Sequence, residues 1–160
     1  MNKYLKELVK DPNMPVVLDY DGTLFEARWF VRHISIFDNS IEALKKAQEE
    51  DDCLYTEPIQ YMRNFVSNIV RTKNVFCCSK IHTDIEFEYK THAIHQYYPK
   101  ISKLYWAKSL EDKIKQLQSI LDTYDGFIYI DDNLEDLLVM ERHFQNPEKC
   151  HFFHMSSIMV

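Results

Sequence analysis

The protein has 160 residues, a formal net charge of −6, 46% hydrophobic residues and 28% charged residues. A chain of this length predicts one folded domain, and its 14% aromatic content argues against disorder. The negative charge argues against nonspecific binding to a nucleic-acid polymer or an anionic membrane. No apolar run approaches the roughly 20 residues of a membrane-spanning helix, and the first residues lack the apolar centre of a signal peptide. We therefore expect a cytoplasmic protein without a nucleic-acid or membrane partner.

The cysteine pattern is typical of a protein that keeps its thiols reduced. The four cysteines are Cys53, Cys77, Cys78 and Cys150, and none forms a C-x-x-C pair. A structural zinc site is therefore disfavoured. Cys77 and Cys78 are adjacent in a predicted strand, so their side chains should point to opposite faces of the sheet.

Hydrophobic periodicity and capping residues divide the chain into alternating helices and strands. Residues 25–54 are the hardest to interpret, because the aromatic and β-branched residues from Phe25 to Phe37 follow no clean period. In chain order the predicted elements are a helix at 3–10, a strand at 15–20, a helix at 40–50, a helix from Pro58, a strand at 74–78 ending at Ser79, a helix at 83–97, a strand at 103–107, a helix from Ser109, a strand at 127–131, a helix at 134–143 and a strand at 151–155.

The alternation of strands and helices from residue 15 onward predicts an α/β fold. Parallel strands joined by helical crossovers form a doubly wound, Rossmann-like sheet with helices on both faces. Such sheets bind ligands beyond the carboxyl ends of their strands. Asp19, Ser79, Lys108 and Asp131 all fall at such ends, so we expect a binding site at this edge.

Two acidic clusters at strand ends carry most of the chemical information. Asp19 and Asp21 follow the apolar run from Pro15 to Leu18, and Asp131 and Asp132 follow the run from Phe127 to Ile130. Carboxylate oxygens are ligands for hard divalent cations. The two clusters together predict a site for such a cation and a phosphate. Taken singly, the first cluster also suits a turn or a calcium loop, and the second also suits acidic residues at a helix amino terminus.

The order of these residues resembles the haloacid dehalogenase-like hydrolases, most of which are magnesium-dependent phosphatases. The first motif of that family, apolar residues followed by D-x-D-G-T, matches the segment from Val16 to Thr23 in full. The second motif, a Ser or Thr ending an apolar strand, corresponds to Ser79. The third is a lysine, for which Lys113 is the first choice and Lys108 the rival. The fourth is an acidic pair after a strand, here Asp131-Asp132.

The resemblance implies a role for each of these positions. Asp19 would be the nucleophile, and Asp21 would act as general acid and then as general base. Mg²⁺ would be held by the Asp19 carboxylate, the Asp21 backbone carbonyl and Asp132. The remaining implied roles are phosphate contacts from Thr23 and Ser79 and from backbone amides near Tyr20 and Lys80, charge compensation by Lys113, and indirect support of the metal by Asp131 and Asp136.

The resemblance covers about residues 15–160 and implies a single domain over 1–160, with a short cap-like insertion at about 25–54. The implied activity is hydrolysis of a small soluble phosphate ester, and nucleotides are one candidate class because aromatic residues lie near the motif. Two other interpretations stay open from the sequence. One is a phosphotransferase or phosphomutase on the same scaffold, and the other is a catalytically inactive module that binds a phosphorylated ligand.

Overall fold

In the computed structural model, which describes residues 1–26, 42 and 56–159, five parallel strands form one sheet. The described strands are β1 (Val16–Leu18), β2 (Val75–Lys80), β3 (Lys103–Ala107), β4 (Phe127–Asp131) and β5 (Cys150–His154), and the described helices are α1 (Lys3–Leu8), α2 (Gln60–Ile69), α3 (Asp84–Tyr97), α4 (Leu110–Tyr124), α5 (Leu134–Phe144) and α6 (Ser156–Met159). The strand order is β3-β2-β1-β4-β5. The predicted doubly wound α/β fold is confirmed.

The register of the sheet places β1 at its centre. Leu18 lies opposite Cys77 of β2 on one side and Ile130 of β4 on the other. All three residues of β1 are fully buried, which explains the continuous apolar run in the sequence. Because the neighbouring strands are parallel, the residues that follow Leu18 and Ile130 emerge at the same edge.

Two apolar layers cover the two faces of the sheet. Val16 and Leu18 belong to the layer that α1, α2 and α3 complete, whereas Val17 faces the layer formed with α4 and α5. Alternate strand residues point to opposite faces, so each apolar strand supplies both layers. Cys77 and Cys78 are divided between the two layers, as predicted, and with Cys150 they are buried free thiols.

Most predicted boundaries lie within two residues of the observed ones. Thr83 and Ser109 cap α3 and α4, and each side chain accepts a hydrogen bond from the backbone amide three residues later. Ser79 lies within β2, which continues to Lys80. Helix α6 was not predicted from the sequence. The predicted cap-like insertion at about 25–54 and its helix at 40–50 lie almost wholly outside the described residues. None of the described helices combines the length and apolar character needed to cross a bilayer.

Candidate active site

The carboxyl ends of β1 and β4 bring three carboxylates together. Asp19 follows β1, and its backbone amide donates a 3.0 Å hydrogen bond to the carbonyl of Ile130 in β4. Asp131 is the last residue of β4, and Asp132 follows it. One carboxylate oxygen from each of the three aspartates lies within 4.8 Å of the others. Two segments more than 110 residues apart in the chain thus form one acidic cluster.

A buried lysine links two of these carboxylates. Lys113, in the first turns of α4, is 1% exposed and places its Nζ 2.8 Å from Asp19 Oδ1 and 3.0 Å from Asp131 Oδ2. The rival, Lys108, is exposed, and its backbone amide donates to Asp112 near the start of the same helix. Because α4 packs over the sheet from its first turn, the structure brings Lys113 to the acidic cluster.

Asp131 is held by several donors besides Lys113. The hydroxyl of Tyr129 donates to its Oδ2 at 2.6 Å, and the backbone amide of Asn133 donates to its Oδ1 at 2.9 Å. Burial alone would raise the pKa of Asp131, but Lys113, Tyr129 and Asn133 together lower it below its usual value. Asp131 is therefore a fixed anion that already accepts three hydrogen bonds, and this leaves Asp19 and Asp132 as the better placed metal ligands.

The ionised forms of the other two carboxylates, Asp19 and Asp132, are electrostatically unfavourable in the folded protein. Burial raises the pKa of Asp19 to about 7, and the negative charges of Asp131 and Asp21 add to this against the opposing effect of Lys113. Asp132 is exposed overall, but partial desolvation of its carboxylate and the nearby Asp131 raise its pKa to about 6. Positive charge beyond that of Lys113 would stabilise the ionised cluster.

The charge and the donor atoms of the cluster are compatible with a magnesium ion. Its three carboxylates and one ammonium group carry a net charge of −2 when all are ionised. A divalent cation would neutralise that charge, and the oxygen-only donor set matches the ligand preference of Mg²⁺. The residues present therefore fit this ion.

Gly22 allows the loop after β1 to approach the acidic cluster closely. Its φ of +68° lies in the left-handed region, and its amide donates to the carbonyl of Phe25 at 2.8 Å in a tight turn. A Cβ atom on Gly22 would lie only 2.1 Å from Asp132 Oδ2. The missing side chain thus makes room for the Asp132 carboxylate.

Asp21 is anchored by a lysine that the sequence reasoning missed. Its Oδ2 lies 2.5 Å from Nζ of Lys90 in α3, and the same Nζ lies 2.6 Å from Oε1 of Glu86. A pattern in α3 could have indicated this pair. Glu86 and Lys90 share one helix face with the core residues Ala93 and Ile94, and charged residues are rarely buried on such a face unless they are paired.

The other predicted contacts lie around the same edge. Thr23 is fully buried, and its hydroxyl has no hydrogen-bond partner among the described residues. Ser79 is 1% exposed near the end of β2. Asp136, predicted to support the metal indirectly, is not part of the three-carboxylate cluster and instead forms a 2.8 Å ion pair with Lys80. Helix α5, capped by Asn133, turns this acid towards the end of β2.

Solved structures with a similar backbone identify the fold. A haloacid dehalogenase-like family hydrolase from Streptococcus pneumoniae matches 81% of this chain and 80% of its own with a TM-score of 0.59 and 13% identity. A protein from Burkholderia xenovorans, described as a haloacid dehalogenase-like hydrolase, matches 87% of this chain and 80% of its own with a TM-score of 0.55 and 12% identity. The chain has the haloacid dehalogenase-like fold.

The haloacid dehalogenase-like fold agrees with the resemblance that the sequence motifs indicated. No protein-family model matches the sequence, and no curated protein matches it. At 12–13% identity the structural likeness establishes the architecture and leaves the chemistry to the site itself. The function must therefore be argued from the aspartates, the lysines and their geometry.

Proposed function

We propose that this protein is a magnesium-dependent phosphomonoester hydrolase that acts through an aspartyl-phosphate intermediate. The observation that carries the proposal is the convergence of Asp19, Asp131 and Asp132 at the carboxyl edge of the sheet, where Lys113 bridges Asp19 and Asp131. A hydrolase of the haloacid dehalogenase type also agrees with the fold. Small soluble phosphate esters, nucleoside monophosphates among them, are the proposed substrates.

In the first step, an oxygen of the Asp19 carboxylate attacks the phosphorus, and the bond from phosphorus to the leaving oxygen breaks. Protonated Asp21 gives its proton to that oxygen, so an alcohol leaves and Asp21 becomes a carboxylate. Lys113 keeps Asp19 oriented and compensates the negative charge that gathers there. Thr23 and Ser79 would donate hydrogen bonds to the phosphoryl oxygens.

In the second step, the Asp21 carboxylate takes a proton from water as the water oxygen attacks the phosphorus. The bond between phosphorus and Asp19 then breaks, which regenerates both aspartates and releases inorganic phosphate. Asp19, Asp132 and the Asp21 backbone carbonyl would hold Mg²⁺, with Asp131 fixed behind them by Lys113 and Tyr129. When bound, Mg²⁺ would supply charge neutralisation and orientation of the phosphate.

The test is phosphate release from a panel of monoesters, with Mg²⁺ and with a chelator, by wild type and by Asp19→Asn. Asp122→Asn is the matched control, because Asp122 is an exposed aspartate on α4 that contacts Gln118 and lies outside the acidic cluster. We expect Mg²⁺-dependent release by wild type and Asp122→Asn, and release at the background level by Asp19→Asn. Activity that survives in Asp19→Asn would refute the proposal. Transfer to an added alcohol in preference to water would identify a phosphotransferase instead.

A further inference from the structure

We propose that Lys90 is a positioning residue that orients the side chain of Asp21 by donating to its Oδ2, so that Oδ1 can carry the proton to the leaving group. The inference rests on the proposed function, in which Asp21 is the general acid. It assigns a role in that reaction to a second buried lysine, distinct from Lys113. The argument depends on the contacts of the Lys90 ammonium, its burial and its position in the fold.

The ammonium group of Lys90 meets three acceptors from three parts of the fold. Nζ lies 2.5 Å from Asp21 Oδ2 in the loop after β1 and 2.6 Å from Glu86 Oε1 in α3, and it donates to the carbonyl of Lys80 in β2 at 3.1 Å. An ammonium group has three N–H donors, so these contacts match its full capacity. Lys90 thus joins the loop after β1 to α3 and to β2.

Because its charges are buried, the ion-pair cluster of Lys90 has a desolvation cost that limits its contribution to stability. Lys90 and Glu86 are each 1% exposed. Burying an ion pair often contributes little net stability, because desolvation offsets the attraction between the charges. The pair of Glu86 and Lys90, four residues apart in α3, would already be complete without Asp21. The additional contact instead fixes the side chain of a loop residue whose position matters for catalysis.

The ring of Tyr20 limits the position of Lys90 further. Nζ lies 5.0 Å from the centre of this ring, which is itself stacked on Phe25. Tyr20 lies between the proposed nucleophile and the proposed acid in the chain, so the lysine contacts both the Tyr20 ring and the carboxylate that follows it. A general acid must remain within hydrogen-bonding reach of the leaving oxygen, and restraint of its side chain favours that geometry.

Two substrates whose leaving groups differ in basicity distinguish a positioning role of Lys90 from a merely structural one. Loss of p-nitrophenolate from p-nitrophenyl phosphate needs little protonation, whereas loss of an alkoxide from an alkyl phosphate such as glycerol 3-phosphate depends on the general acid. The ratio of kcat/KM for these two esters reports the step in which the leaving group departs. Since both values come from one sample, the ratio does not depend on the fraction of folded protein.

The experiment compares wild type, Lys90→Met and Asp21→Asn, with Lys73→Met as the matched control. Lys73 is also buried, but its Nζ donates to the carbonyls of Asp11 and Met14 at the opposite edge of the sheet. We expect Lys90→Met to lower kcat/KM for the alkyl ester by about 10²-fold, within the range of general acid catalysis, and for the aryl ester by only about threefold. Lys73→Met should leave the ratio unchanged.

A double-mutant cycle gives the second measurement. If Lys90 acts through Asp21, Lys90→Met should cause no further change in the ratio once Asp21→Asn is present. Lys90→Gln, which keeps a donor but no charge, replaces Lys90→Met in both measurements if the methionine variant does not fold. Equal losses on both esters, no loss, or additive effects in the cycle would overturn the role of Lys90 alone. Wild-type protein that hydrolyses neither these two esters nor any other monoester of the panel with Mg²⁺ would overturn the proposed function, and this inference with it.

Discussion

Replacing Gly22 with alanine would test the geometry of the acidic cluster most directly. Two separate effects follow from the structure. The φ of +68° places an alanine in the left-handed region, which costs about 1–2 kcal/mol. The new Cβ would also lie 2.1 Å from Asp132 Oδ2, whereas ordinary contact begins at 3.4 Å. The carboxylate must therefore move by about 1.3 Å.

The two effects differ in what they change. The carboxylate is the mobile end of a side chain, so its displacement adds little to the loss of folding stability. In the proposed mechanism its displacement would weaken Mg²⁺ binding, because Mg²⁺ demands a nearly ideal octahedral arrangement of oxygens. A misplacement of about 1 Å can reduce activity about 10²-fold, so we expect a loss of that size in kcat/KM. The Mg²⁺ concentration that gives half the maximal rate should rise as well.

The assay combines urea unfolding, Mg²⁺ titration of phosphate release and thermal stabilisation by Mg²⁺. Gly126→Ala is the control, since Gly126 is the other glycine in the chain and lies before β4 at the opposite edge of the sheet. Its Cβ would lie 3.0 Å from the carbonyl oxygen of Lys149, so some stability should be lost without a change in Mg²⁺ dependence. A Gly22→Ala protein with wild-type Mg²⁺ dependence and activity would show that Asp132 does not act from the position argued above.

Three further predictions concern the folded protein. Without Mg²⁺, the free energy of unfolding should fall as pH rises from about 4 to about 7, because folded Asp19 and Asp132 keep protons that the unfolded chain releases near 3.8. Urea unfolding with and without Mg²⁺ measures this pH dependence. If the slope of the unfolding free energy against pH were the same with Mg²⁺, the prediction would be wrong. Tyr129→Phe should lower the free energy of unfolding by about 2 kcal/mol through loss of the hydrogen bond to Asp131, whereas Tyr4→Phe, at an exposed tyrosine, should have little effect. The three described cysteine thiols should resist iodoacetamide in the folded protein, because burial raises the pKa of each. Peptide mass spectrometry measures their alkylation, and rapid alkylation would contradict this prediction.

Local patterns were sufficient to predict the architecture. Apolar runs such as Phe127 to Ile130 predict buried strands, and cap residues such as Thr83 and Ser109 mark where helices begin. Their alternation leads to a parallel sheet, because a helix must cross over before the next parallel strand can pair. These features depend on neighbours in the chain, so the sequence displays them directly.

Contacts between distant segments were harder to predict. Both Lys113 and Lys108 follow β3 closely, and the path of α4 determines which of them reaches Asp19. The pairing of Asp136 with Lys80 likewise depends on how α5, which packs against β5, places its first turn. Lys90 was overlooked because a single lysine in a helix is usually exposed to solvent.

By itself, the sequence determined the order of strands and helices and the edge at which the acidic residues gather, because hydrophobic periodicity and capping act over a few residues. Only the tertiary structure decided which lysine contacts each aspartate, that Asp131 is fixed by Tyr129 and Asn133, and that Gly22 makes room for Asp132. Those contacts join segments far apart in the chain at distances of a few ångströms. The strength of a charge or hydrogen bond at such range depends on packing and burial, which no local pattern records.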